Sequence, residues 1–248
     1  MQLTLSSISL EHYGLNRVFA FAKEAGYDGI DIEVSKVYDT QDAAYIRSLI
    51  EQHGLPVVNL VTPKKLSDKS QVMKYVDLAV EIGAKIVTIH PPRILDFGFT
   101  QWIKNELPHI RKKTGIKVAL LNAVPSRLLG FIPQHAMNSP TEMKRFREVA
   151  LDTSNVYSLH EDLIRLYERL KGEIVHIFLS NVRHGRDHGL PMDGSMPIES
   201  LLTKLSKDGY RGALSLRVVG KELGEGNEQK VIAKLKETKA FVEKYLGM

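Results

Sequence analysis

Short apolar, β-branched runs recur along the whole chain, each followed by a stretch of helical periodicity, and this alternation limits the folds open to it. The runs lie at Leu3–Ser9, Gly29–Val34, Pro56–Thr62, Lys85–Pro91, Lys117–Val124, Val149–Val156, Glu173–Asn181 and Arg211–Val219. Runs such as KIVTIH and KVALL are apolar almost throughout, as strands buried on both faces of a parallel sheet must be. Eight units over 248 residues average about 31 residues each, the size of one β-strand, one helix and two loops. That pattern predicts an α/β fold, a single (β/α)₈ barrel occupying residues 1–248. An open doubly wound sheet is the competitor; the even spacing and the lack of a GxGxxG turn favour the closed barrel.

The intervening segments carry helix signals. Ser67–Gly83 places Val72, Val76, Leu78, Ala79 and Ile82 near one stripe, and Tyr157–Lys171 does the same with Leu159, Leu163, Leu166 and Leu170. Gly26, Gly54, Gly83, Gly115, Gly172 and Gly209 each precede a strand, where a helix must stop. The stretch from about Asn227 to Leu246 reads as a charged amphipathic helix that closes the ring. One connection departs from the rhythm. Pro125–Pro140 is a long segment after the fifth strand, with Leu128, Leu129, Phe131 and Ile132. It is too apolar for a purely solvated loop, so a lid over the barrel mouth and a homodimer contact both stay open.

Composition narrows the function classes. With no cysteine there is no disulfide, thiolate nucleophile or thiolate metal ligand. No signal-like opening and no apolar stretch near the ~18 residues of a membrane span are present, which sets the expectation of a cytoplasmic protein with no membrane partner. The net charge of +5 is mild, and the basic residues mostly alternate with acids along helices, which argues against a nucleic-acid surface.

In a barrel of this kind, chemistry sits at the C-terminal ends of the strands. Those ends supply Asp31, Glu33, His90, Asn122, Asp152, Asn155, His176, Ser180, Asn181 and Arg217, and the loop after strand seven adds Arg183, His184, Arg186, Asp187 and His188. Polar groups inside apolar strands are costly unless paired. One alone is well explained by an internal hydrogen bond; the set converging on one mouth points to a polar ligand pocket. His12, His53, His109, His135 and His160 fall on helices or loops and read as surface residues.

Four motifs, GYDGIDIE (Gly26–Glu33), KIVTIHPP (Lys85–Pro92), ALDTSN (Ala150–Asn155) and IVHIFLSNVRHGRDHGLPMDGSMPI (Ile174–Ile198), resemble the xylose isomerase-like superfamily over essentially the whole chain. That group includes sugar isomerases, sugar and sugar-phosphate epimerases, and the endonuclease IV type of repair enzyme. The resemblance implies a divalent ion held by a Glu of strand five, an Asp of strand six, a His of strand seven and a Glu of strand eight. Here those places hold Asn122, Asp152, Phe178 and Arg217. A one-step slip in the alignment of strand seven would offer His176 instead, since His176 and Phe178 share a strand face. Asp152 with His176 would still not make a Mg²⁺, Mn²⁺ or Zn²⁺ site beside a guanidinium. The expectation is therefore no metal and no other cofactor.

The resemblance implies isomerase or epimerase chemistry on a sugar or sugar phosphate, with His90, Asp152, His176 and His188 as catalytic candidates. Glu33, Asn122, Asn181, Arg183 and Arg217 are the substrate-binding candidates. In the family, two glutamates exchange a proton beside the carbonyl; Asn122 and Arg217 cannot. Arg217 could replace the missing cation, gripping Asp152 or an anionic ligand group bidentately, or could merely fill space in a salt bridge to Asp152 or Glu33. Two further readings stay open, a ligand-binding protein that kept the pocket without catalysis, and an endonuclease IV type of enzyme, whose many zinc ligands this chain mostly lacks.

Overall fold

A computed structural model describes residues 1–64, 66, 68–124, 127–128 and 131–247, with the side chains of residues 127, 128 and 132 left aside. Eight parallel strands form a closed barrel: β1 (Gln2–Ser6), β2 (Gly29–Glu33), β3 (Val57–Val61), β4 (Ile86–Ile89), β5 (Lys117–Leu121), β6 (Val149–Asp152), β7 (Ile174–Leu179) and β8 (Ala213–Leu216). Each pairs with its neighbours in sequence. The ring closes where β1 lies beside β8, with Gln2 opposite Ala213 and Leu5 opposite Leu216. Closure leaves no strand edge unpaired.

The helices α1 (Leu15–Ala25), α2 (Ala43–His53), α3 (Lys69–Ile82), α4 (Phe97–Thr114), α5 (Pro140–Phe146), α6 (Thr153–Ser158), α7 (Leu163–Leu170), α8 (Ile198–Lys207), α9 (Gly220–Leu223) and α10 (Glu228–Leu246) alternate with them. Their apolar stripes pack on the outward strand residues, and that shell is the main core. α1 to α4 all stop on a glycine in the left-handed conformation, Gly26, Gly54, Gly83 and Gly115. A side chain would be strained at those φ values.

Several boundaries differ from the sequence expectation. The sixth strand ends at Asp152 rather than Val156, because the Asp152 carboxylate accepts the Asn155 N–H and starts α6 directly from the strand. The helix expected over Tyr157–Lys171 is two helices, the second capped by Asp162 on the Arg165 N–H. His160, at φ +54°, lies in the break between them. The seventh strand ends at Leu179, and Asn181–Arg183 pairs antiparallel with Arg186–Gly189 as a separate hairpin. The segment 125–140 contains a two-residue ribbon, Arg127–Leu128 with Ile132–Pro133. Of its apolar residues, Leu129 and the side chains of Leu128 and Ile132 lie outside the described set, while Phe131 is exposed.

The inside of the barrel is partly polar. Val61, Ile86, Ala119, Leu121, Ala150, Phe178 and Ala213 form its apolar lining. Thr4, Ser6, Asp31, Asn59, Thr88, His176 and Ser215 are also fully buried. Among the described residues no helix is long and apolar enough to cross a membrane.

Candidate functional site

Arg217, the residue after β8, occupies the centre of the C-terminal mouth. Its backbone N–H continues the ladder to Leu179 of β7, which aims the side chain across the barrel. Nη1 donates to Asp152 Oδ2 and Nη2 to Glu33 Oε2, both at 2.8 Å. The guanidinium thus bridges carboxylates from β6 and β2. Its carbon lies 5.1 Å from the centroid of the Phe178 ring, a cation–π contact with an enclosed aromatic face. The Phe178 ring thus carries a side-chain cation on its face.

Asp152 is fully buried and uses both oxygens. Oδ1 caps α6, while Oδ2 meets Arg217 and lies 3.4 Å from His188 Nε2. Burial works to raise its pKa, but the hydrogen bond and charge of His188, then Arg217 and the capping N–H, outweigh it. The carboxyl is held down to about 2. Asn122 positions this residue: its Oδ1 accepts the Asp152 N–H at 2.6 Å, and its Nδ2 donates to the Asp152 carbonyl at 3.0 Å. Asn155, in turn, donates to the Asn122 carbonyl.

His188 reaches the site from the hairpin after β7. Its φ is +58°, uncommon for a residue with a side chain. Two hydrogen bonds hold it there: its N–H donates to Ser154 Oγ, and its carbonyl accepts the Val219 N–H. The imidazole lies between Asp152 and Asp187, whose Oδ2 is 3.5 Å from Nδ1. Burial acts to lower its pKa, yet the Asp152 hydrogen bond and charge win and raise it. Across the mouth, His90 follows β4. Burial and the positive charges of Arg217, Lys64 and His135 push its pKa down to about 3, and its buried Nε2 has no hydrogen-bond partner. The mouth therefore holds one imidazole kept neutral and one whose protonated form is favoured.

Glu33 is the remaining carboxylate. Its Oε2 is bound to Arg217, and it lines a cavity of about 300 Å³ together with Ser7, Tyr13, Ser35 and Asp39. Arg183 stands at the rim, exposed and paired with Asp193 at 2.6 Å.

Two candidates lie away from the ligand face. His176 was expected at the mouth as a catalytic residue, but it sits one pleat deeper. It is fully buried beneath Phe178, with ring centroids 4.6 Å apart, and its Nε2 lies 2.6 Å from Asp31 Oδ2. Asn181, expected to bind substrate, is buried in the base of the hairpin. It donates to the Pro191 carbonyl and accepts from the Val182 and Met196 N–H groups. His135, read as a surface residue, is half-buried near His90, because Arg93 and His135 form a β-bridge. An irregular loop offers no periodicity from which that placement could be foreseen.

Among the described residues, no three His, Asp or Glu side chains are grouped to hold a metal ion. The two carboxylates that face each other are already filled by a guanidinium, and Asn122 spends its oxygen on backbone. This donor set does not fit the family's divalent ion.

The geometry has relatives. An uncharacterized protein of Mycobacterium leprae (strain TN) is 20% identical over 278 residues, covering 99% of this chain and 98% of its own. Among solved structures, D-allulose 3-epimerase from Methylomonas sp., in complex with D-allulose, superposes with a TM-score of 0.73 at 14% identity, covering 98% of this chain and 96% of that one. The apo 3-keto-D-glucoside 4-epimerase of E. coli gives 0.74, also at 14%, with coverage of 97% and 99%. At such identities the likeness is one of fold. A family model described as xylose isomerase-like TIM barrel matches residues 19–239. The chain belongs to the xylose isomerase-like TIM-barrel family.

Proposed function

We propose that this protein acts on a small polyhydroxy substrate at the C-terminal mouth of the barrel, moving a proton beside a carbonyl as sugar isomerases and epimerases do. The reaction runs with the Arg217 guanidinium in the role of a divalent cation. The observation that carries this reading is the central Arg217, bonded at 2.8 Å to Glu33 on one side and Asp152 on the other, with His188 beyond Asp152.

The roles follow from charge. Glu33, a carboxylate with only one oxygen tied to Arg217, takes the proton from the carbon next to the carbonyl. His188, whose protonated form Asp152 favours, gives a proton to the carbonyl oxygen as the enediol forms. Arg217 stabilises the negative charge that develops in between. Reversal at the neighbouring carbon, with Glu33 returning its proton there and His188 recovering one from the neighbouring hydroxyl, gives the isomer. His90 stays neutral and offers an imidazole nitrogen without adding charge, so the two histidines are pushed apart in pKa as an acid and a neutral partner are.

The family relationship and the sugar epimerases among the fold neighbours support this choice of chemistry. The test is solvent-deuterium incorporation into ketoses, aldoses and their phosphates, followed by NMR on chelator-treated protein. Exchange that persists after chelation, and is lost in Glu33→Gln and His188→Gln, is expected. No exchange with any compound, or exchange that returns only with added divalent metal, refutes it.

One observation favours a second reading. Arg217 and Asp152 already satisfy each other, which suits a pocket that binds a ligand without transforming it. Binding without exchange in the same assay would select it.

A further inference from the structure

Resting on the mouth being the ligand site, a second feature bears on which ligand enters it. The wall opposite the hairpin is built from the loops after β3 and β4 and from residues 134–138, and the loop after β4 is fastened to residues 134–138. The Ile94 N–H donates to the Gln134 carbonyl and the Ala136 N–H to the Pro92 carbonyl, both at 2.9 Å, around the Arg93–His135 bridge. Asn138 clamps the same segment to the end of β5, its side chain accepting from the Ala123 N–H and donating to the Ala123 carbonyl.

This wall carries Lys64, His90, Arg93 and His135. The charge of Lys64 reaches His90, opposed there by that of Asp152 from across the mouth, and the charge of Arg93 reaches His135. Among the described residues none of the four lies within ion-pair distance of a carboxylate. Arg217, Arg183, Arg111 and Lys204, by contrast, each have one. Two cations, Lys64 and Arg93, with no carboxylate paired to either among the described residues, stand beside the buried, unpartnered Nε2 of His90, which raises the local potential and favours an anion there.

We propose that the ligand bears a terminal anionic group, a phosphate or a carboxylate, that seats against Lys64, His90, Arg93 and His135 while its polyol end reaches Glu33, Arg217 and His188. Such a ligand spans the mouth from the β3–β4 wall to the β7 hairpin. The imidazoles of His90 and His135 donate hydrogen bonds to its oxygens, and Lys64 and Arg93 neutralise it.

The test follows the imidazole nitrogen resonances of His90 and His135 by NMR during titration with inorganic phosphate, D-ribulose, D-ribulose 5-phosphate and D-ribonate. Saturable shifts with phosphate are expected, together with affinity at least tenfold higher for an anionic compound than for D-ribulose. Whichever of ribulose 5-phosphate and ribonate binds tighter identifies the group. In the Lys64→Ala/Arg93→Ala variant that tenfold preference collapses toward unity. Absence of any His90 or His135 shift up to about 20 mM phosphate, or an unchanged preference in the variant, overturns the proposal. If phosphate shifts both histidines while no sugar exchanges protons, the anion wall stands and the catalytic reading alone falls.

Discussion

Replacing Arg217 by methionine keeps much of the side-chain volume but strips the shared cation from Glu33 and Asp152. Asp152 is fully buried, and the Arg217 and Glu33 side chains are 8% and 13% exposed, so water cannot take over. Removing one partner of a buried ion pair typically costs about 3–5 kcal/mol, mainly from the charge left behind. The drop of the Asp152 pKa from its ordinary 3.8 to about 2 corresponds to about 2 kcal/mol, shared between His188, Arg217 and the capping N–H. In the native protein this contribution is present above pH 3.8 and disappears as pH falls through about 2. His188, whose pKa is raised, has the opposite sign: its stabilisation is complete below its unfolded value of 6.5 and is lost as pH rises through the higher folded value. In the variant His188 is the one cation left beside Asp152, so the damage must grow with pH. Urea denaturation is expected to show a loss of about 3–5 kcal/mol at pH 9, and a loss smaller by about 1–2 kcal/mol at pH 5.5. Adding Glu33→Gln, which removes one stranded charge, recovers part of the deficit. A deficit below about 1 kcal/mol at both pH values, the size of an exposed ion pair, would refute the bridged arrangement.

If exchange activity is found, His188→Gln lowers its rate by roughly 10²–10⁴. It also removes the alkaline limb of the pH–rate profile, where the imidazolium deprotonates, while no acid limb from His90 is expected above about pH 4, since its pKa lies near 3. Gly194→Ala would press a methyl group into the Asn181 side chain and to 2.6 Å from the Val182 carbonyl. A loss of about 1–3 kcal/mol is expected on thermal melting, with a weakened hairpin and a rise of the Asp152 pKa detectable by NMR. His176→Leu strands the Asp31 carboxylate inside the barrel and is expected to lose about 3–5 kcal/mol, whereas Asp31→Leu/His176→Leu loses distinctly less. Strict additivity of the two changes in a denaturation cycle would show that they are not coupled.

The barrel was legible because its signals are local and repeated: apolar strand runs, helical stripes and the glycines that stop α1 to α4. The shorter features were not. Asp152 ends a strand and begins a helix in the same residue, so the apolar pattern running on to Val156 overstated the strand. Two consecutive caps, Asp152 and Asp162, divide a leucine stripe that reads as one helix. At the site, residue types pointed correctly to strand ends, yet depth along a strand is not written in the sequence. Two residues on the same face of β7 differ by one pleat, and that step separates Phe178 under the guanidinium from His176 below it. Asn122 and Asn181 read as ligand contacts because an amide can bind substrate or backbone equally well. Only tertiary geometry shows that both are spent on backbone, and it alone brings His135 beside His90.

The aromatic floor under Arg217 also gives the protein a built-in clock. With Phe178 above and strands all around, the ring nitrogens of His176 have no path to water short of parting the barrel itself. A proton on that imidazole should then exchange with deuterated solvent at the rate of the rarest, most global opening, alongside the slowest backbone amides and not with the loops. Followed by NMR, this one resonance would report how often the whole ring comes apart. Ligands bound at the mouth would slow it only by stabilising the entire fold.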